Sequence, residues 1–437
     1  MVKVIGCGAA GCSAAINAYE SGVIEASDFL LLNTTDVDIK EEYHARTYLI
    51  NKIANPNPTS SKDMYIERRG TGKERDIAKE ICLSYFNNDN GSEFNLINTL
   101  SSLFANTNNI EEDIAVIVTS TEGGSGSGLS IHVAAFLRSM GLNIIIVPIT
   151  GFEKDGRSLK NTFEFFKDMS DEYVIMPLSN KKFLDGGTNY PLAEKKANEE
   201  FSRRLRYIMG LHRRRSSCNK EIDQTDQFKA VTTPGIMDII YVDLSEVKNI
   251  KMFNDTVSLA LDETKNIDNN DPQQKKLAIY YNINDAKKSM IDFNATVVKE
   301  RLGDVFELFE HIQDPIPTDP EEGKDYMVII SSGSNLPIEE IKGTYDRFIN
   351  RAKSINKTVS GFSMMNQLTS SDSDIECFDM KANKKGVNTP SSINNISNEA
   401  RSRFLAQNNI KTGDDIKTPS KDKFVDTQKK NEDKFKV

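Results

Sequence analysis

Glu122-Gly-Gly-Ser-Gly-Ser-Gly128 stands between five apolar residues, 114–118, and a stretch with helical spacing, 129–137. A short apolar run, then glycines, then a 3.6-residue period reads as a buried strand, a turn and a helix. Glycines let successive backbone N–H groups turn toward one centre, and the helix adds the positive end of its dipole. Such a segment holds an oxyanion without a lysine.

A second glycine turn, Gly6-Cys-Gly8-Ala-Ala-Gly11, lies between the strand-like 2–5 and the helix-like 10–21. That is the setting of a dinucleotide pyrophosphate fingerprint. The next strand, 29–32, leads to Asn33, with Asp36 three residues on, instead of the acid a Rossmann ribose site places there. A nicotinamide or flavin oxidoreductase, one reading of the first loop, has no use for the second. Two loops at the ends of neighbouring strands would clamp a long phosphate chain from two sides. Neither ends in Lys-Ser or Lys-Thr, which disfavours a P-loop ATPase.

The chain of 437 residues has room for two or three domains. Its 55 basic and 64 acidic side chains give a net charge of −9, so any nucleic-acid contact must be local. Five cysteines without C-x-x-C argue against a disulfide framework or zinc ribbon, and four histidines without ligand spacing argue against a histidine metal cage. No apolar run approaches the roughly twenty residues of a membrane helix, and Met1 opens directly on a strand. The expectation is a cytoplasmic protein with no membrane insertion.

Outward from the two loops, helical pattern recurs at 76–86, around 94–104 and at 155–169, and strand pattern at 143–147 and 173–176. This alternation predicts a parallel sheet covered on both faces. Residues 192–211 predict one long helix. After a basic stretch, 212–220, Pro234-Gly235 opens a second region with helix-like 256–263 and 290–309 and strand-like 276–281 and 325–331. From about 366 onward Asn, Ser, Lys and Asp dominate, too little apolar surface to fold alone. The expected architecture is α/β: a Rossmann-like parallel-sheet domain over 1–188, a central helix over 189–212, a smaller α/β C-terminal domain over 213–362, and a disordered tail over 363–437.

In order along roughly the first 250 residues, these motifs resemble the tubulin/FtsZ superfamily, whose signature Gly-Gly-Gly-Thr-Gly-Thr-Gly follows a strand. The resemblance implies a GTPase with GTP/GDP and Mg²⁺ as cofactors. It implies phosphate contacts from Gly8, Ala9, Ala10, Gly11, Gly123, Gly124, Ser125, Gly126, Ser127 and Gly128, and a loop closing the second strand at Asn33. Gly70, Thr71 and Gly72 resemble the loop that senses the γ-phosphate. Glu153 and Arg157 would be ribose contacts, Asn180 would meet guanine or ribose, and Asn198 would read guanine. Glu194 stands where an aromatic normally stacks on the base, and Tyr190 is the nearest substitute. Ser125 and Ser127 keep the hydroxyls of the threonines they replace. Glu122 replaces a glycine, and its carboxylate would repel the γ-phosphate unless Mg²⁺ or Lys73 intervenes.

In this family an acidic loop after the central helix completes the GTPase site of the next subunit. Pro234-Gly-Ile-Met237 resembles its opening. Two alignments follow: Asp238 with Asp243, or Asp243 with Glu246, three residues apart on one side of a helix's first turn. The second is preferred, although an N-cap at Asp243 with Glu246 as its capping-box partner would look the same. The implied partner is self, in a longitudinal homopolymer, with a possible adaptor protein or DNA complex engaged through the tail. Arginines 203, 204, 206 and 213–215 are a candidate contact patch, or a solvated helix end. A non-hydrolysing GTP-dependent scaffold filament and a monomeric GTP-binding regulator are the alternatives. Departures in nearly every motif point to a divergent plasmid or phage member.

Overall fold

The computed structural model describes residues 1–350 apart from 56, 61–63, 88–94, 106–108, 154, 185–188, 211–221, 263–274, 291–294, 304, 314–323, 336–340 and 348. The expected disordered tail and arginines 213–215 lie outside the described residues.

The apolar runs form a parallel sheet: β1 (Val2–Cys7), β2 (Phe29–Asn33), β3 (Thr47–Leu49), β6 (Ile114–Ser120), β7 (Asn143–Thr150), β8 (Val174–Ile175) and β9 (Leu178–Ser179). These strands read as unbroken hydrophobic stretches because helices cover both faces. A separate antiparallel pair is formed by β4 (Lys52–Ala54) and β5 (Tyr65–Glu67). β10 (Gly235–Asp243) pairs in parallel with β8 through Gly235 and Ile236. It pairs antiparallel with β13 (Tyr326–Ser334), which is followed outward by β11 (Lys276–Asn282) and β12 (Glu307–Gln313). The order is β12-β11-β13-β10-β8-β7-β6-β1-β2-β3, so the second region continues the sheet of the first.

The helices are α1 (Gly8–Glu20), α2 (Arg75–Phe86), α3 (Leu96–Leu103), α4 (Gly124–Ser139), α5 (Gly156–Lys167), α6 (Tyr190–Ile208), α7 (Gln224–Thr232), α8 (Ile250–Asp262), α9 (Asp285–Lys288) and α10 (Thr296–Leu302). α1, α6 and α7 cover one face of the sheet, where Phe201 and Leu205 of α6 join Val116 and Met237 in one core. α2, α3 and α4 cover the other, over Ile117 and Ile146. α8 and α10 close a third core over β10, β11 and β13. Among the described residues no helix is long and apolar enough to cross a membrane.

Three expectations are corrected. The segment 290–309 is not one helix: Gly303, at φ +77, ends α10, and the chain then pairs with β11 as β12. The central helix stops at Ile208, where Gly210 at φ +67 follows its C-cap. Asp243 and Glu246 do not share a helix's first turn. Asp243 ends β10, Glu246 lies in the turn after it, and α8 begins only at Ile250.

Candidate functional site

The loops after β1, β2, β6, β7 and β9 all leave the C-terminal edge of the sheet, where open α/β sheets bind ligands. α1 begins at Gly8 and α4 at Gly124, so the glycines expected to form a turn are the first turn of α4 itself. Gly8 has φ +73, and a Cβ there would lie 2.6 Å from the backbone of Gly126; a Cβ on Gly126 would lie 2.6 Å from the Cys7 carbonyl. Glycine at both positions lets the two helix N-termini meet backbone to backbone. Gly11 and Gly128 lie away from this meeting point and seat their helices against β6 and α2.

The first four N–H groups of a helix have no partner within it. α3, α5, α6, α7 and α9 each satisfy one with an Asn or Asp cap. α1 and α4 have neither a side-chain cap nor an acid in the first turn. Their paired positive ends face the crevice uncompensated, which is the electrostatic requirement for a polyanion.

Ser125 on α4 ties the neighbouring loops together. Its hydroxyl lies 2.6 Å from that of Thr34 and 3.2 Å from that of Thr71. Asn33, 1% exposed, accepts the Thr34 N–H through Oδ1, and its Nδ2 has no protein partner. Asn180, also buried, has an unpartnered Oδ1. The orphaned donor of Asn33 thus stands beside the start of α4, through Thr34 and Ser125, and the orphaned acceptor of Asn180 follows β9 at the same edge of the sheet, a combination that fits an anionic ligand with a polar ring system. Ser127 departs from expectation: its hydroxyl is buried and donates to the Gly123 and Gly124 carbonyls of its own turn, which removes it from phosphate binding.

The 70–74 loop is gripped by α5. Lys73 Nζ lies 2.9 Å from Asp155, whose carboxyl is drawn down to about 2 by that lysine and by the Ser158 N–H. Lys73 is therefore committed to Asp155 and does not screen Glu122. Arg157 donates through Nη1 to the Gly72 carbonyl at 3.2 Å and reaches Glu74 at 3.4 Å, which ties its guanidinium to the 70–74 loop. Asn161, which no sequence signal marks, is buried on α5 and donates to the carbonyls of Lys73 and Glu122. Asn161→Ala leaves both carbonyls without that donor and is expected to lower stability by about 1–3 kcal/mol in urea unfolding.

On the other side, Asn198 donates to Ser13 at 3.0 Å and Ser202 donates to Asn17 at 2.7 Å, stitching α6 to α1. Tyr190 opens α6 with its ring centroid 4.5 Å from that of Phe152, whose place in the site the sequence reading passed over. Glu153, at φ +51, pairs with Lys181 at 2.6 Å. Gly70, Gly72 and Gly123 have open space where a side chain would stand.

The acidic residues divide. Asp238 is 3% exposed and lies 2.6 Å from Arg204 of α6, so it cannot meet water on another subunit; it is a buried counter-ion. Arg203 and Arg204 both pair with Glu200, and Arg203 lies over the Tyr241 ring, so these two arginines are internal ties and not a free basic patch. Asp243 and Glu246 are exposed, and the hydroxyl and N–H of Ser245 hold the Asp243 carboxyl below its usual range. Among the described residues no group of three His, Cys, Asp or Glu is placed to hold a metal.

No protein-family model and no curated protein sequence matches the chain. Solved structures do. CetZ2 from Haloferax volcanii, a GTPγS-bound protofilament, aligns with a TM-score of 0.58 at 15% identity over 80% of this chain and 99% of its own. TubZ of Clostridium botulinum phage c-st gives 0.55 at 15% identity over 80% and 98%. An empty FtsZ dimer from M. jannaschii gives 0.54 at 17% identity over 76% and 88%. The fold is that of the tubulin/FtsZ superfamily.

Proposed function

We propose that this chain, built on the tubulin/FtsZ fold, is a divergent member of that superfamily: a GTP-binding, GTP-hydrolysing cytoskeletal protein that polymerises head to tail. The observation that carries the reading is the pair of uncapped helix N-termini, α1 and α4, in backbone contact at the C-terminal edge of adjacent strands. Their N–H groups hold the phosphates, with Thr71 and Ser125 at the far end of the chain of phosphates. Asn33 and Asn180 offer their orphaned atoms to the nucleoside, while Phe152 and Tyr190 supply an aromatic wall. Mg²⁺ travels with the triphosphate and neutralises part of its charge.

Among the described residues the carboxylates nearest this crevice are already engaged, Glu122 by the Glu153 N–H, Glu153 by Lys181 and Asp155 by Lys73. Asp243 and Glu246, exposed beyond β10, are the groups a second copy would present, and Asp243 is held ionised by Ser245. A carboxylate that orients and partly deprotonates water in line with the γ-phosphate completes the site. Assembly thereby switches on hydrolysis. We assign the filament to DNA segregation or positioning by a plasmid or phage, with the tail as the segment that engages an adaptor protein or DNA complex.

The test measures GTP turnover and light scattering for Asp243→Ala and Glu246→Ala separately. Each variant is expected to form polymer with GTP and to lose turnover roughly a hundredfold or more. Wild-type turnover in both removes the assignment. Polymer without turnover in the unmodified chain makes it a non-hydrolysing scaffold.

A further inference from the structure

We infer that Glu122 is a positioning residue that sets the base-side wall of the pocket against its phosphate side; the inference rests on the GTP reading above. Glu122 immediately precedes the N-cap of α4. Its backbone is fixed on both sides: the N–H donates to Ser120 Oγ at 3.3 Å and the carbonyl accepts from Asn161 at 2.9 Å. The carboxylate turns away from the phosphate cradle onto the loop after β7, where Oε1 accepts the Glu153 N–H at 2.6 Å. Oε2 lies against Gly151, where a Cβ would stand 2.1 Å from it. One side chain therefore spans from the start of α4 to the loop that carries Phe152 and, through it, the contact with Tyr190.

The arrangement is costly to place without a purpose. Burial raises the Glu122 carboxyl above its usual range, with Glu153 and Asp155 adding to the rise against the N–H groups of Phe152 and Glu153. Lys181 and Lys73 balance those two neighbouring acids but not Glu122 itself. A glycine or alanine would fill position 122 without desolvating a charge. What the carboxylate adds is a charge-assisted bond to the Glu153 N–H, which holds Glu153 in its left-handed conformation and Phe152 toward Tyr190.

Truncating Glu122 releases that loop without touching the N–H groups of α1 and α4. Calorimetric titration of the full chain with GTP, and separately with inorganic tripolyphosphate, is to be run on wild type, Glu122→Ala and Glu122→Gln. Glu122→Ala is expected to weaken GTP by about ten- to a hundredfold, the equivalent of one hydrogen bond to a charged group, while tripolyphosphate changes less than about twofold. Glu122→Gln keeps an acceptor oxygen and restores most of the GTP affinity. Equal losses for both ligands, or glutamine no better than alanine, overturn the assignment. Hydrogen exchange of nucleotide-free protein tests the tether separately. Glu122→Ala should speed exchange at 151–153 and leave α4 unchanged, and unchanged exchange at 151–153 overturns it. A wild type that binds no GTP, with exchange behaving as expected, refutes the GTP reading and leaves the tether standing.

Discussion

Arg204→Ala is expected to lower stability by about 3–5 kcal/mol, the cost of leaving a buried charge without its partner. Arg204 of α6 is almost fully enclosed, with Nη1 2.6 Å from Asp238 and Nε 2.8 Å from Glu200. Burial works against its charge, and Asp238 and Glu200 more than offset that, so the guanidinium is held more firmly protonated than usual. Removing it strands Asp238 at the junction between the central helix and β10 and leaves Glu200 with Arg203 alone. The double change Arg204→Met with Asp238→Leu should recover most of the loss, because Glu200 retains Arg203 at 2.5 Å. Urea midpoints for the single and double variants decide the matter. A loss below about 1 kcal/mol for Arg204→Ala would mean that the triad adds little to the fold. The same experiment separates a structural Asp238 from the catalytic one that one alignment of the acidic segment allowed, since a surface catalytic acid leaves stability unchanged when its neighbour is removed.

Gly8→Ala is expected to reduce nucleotide affinity by roughly thirtyfold to a thousandfold or more with the sheet intact. The methyl group meets two obstacles. At φ +73 it places an L side chain in the left-handed region, at about 1–2 kcal/mol. It also enters the backbone of Gly126 at 2.6 Å, and relieving such an overlap costs about 1–3 kcal/mol. The cheapest relief is to move α1 and α4 apart, which separates the two sets of N–H groups that must converge on one phosphate chain. Affinity for GTP by titration, with far-ultraviolet circular dichroism to confirm the fold, provides the check. A variant that binds within about threefold of wild type would show that the two termini do not act together.

Much of this molecule was legible before any coordinates. The stretches 114–118 and 144–147, within β6 and β7, are continuous apolar runs because the sheet is covered on both faces, and that burial leaves a local mark on composition. The two glycine-rich strand-to-helix junctions announced themselves because only glycine permits such close backbone approach, although the helices begin at Gly8 and Gly124, earlier than the spacing from 10 and 129 suggests. Boundaries were less legible. The segment 290–309 has enough helical spacing to pass for one helix, and what divides it is Gly303 together with an edge of β11 open for pairing. Asp243 and Glu246 have a capping-box spacing that the chain does not use, because Asp243 is still part of β10, in register with Tyr326, and α8 begins only at Ile250.

The sequence by itself determined the strand-glycine-helix units and hence the fold class and the glycine-lined helix starts at the crevice, since these follow from backbone freedom and apolar periodicity within a dozen residues. Only the tertiary structure decided which charges are available. Asp238 became a counter-ion, Arg157 and Lys73 became grips on the 70–74 loop, Ser127 turned into its own helix, and Glu122 turned outward onto Glu153. Most of those partners lie some 30 to 90 residues away along the chain. Whether a side chain meets a ligand or a neighbour is settled by which segments the sheet order brings together, and no local pattern carries that information.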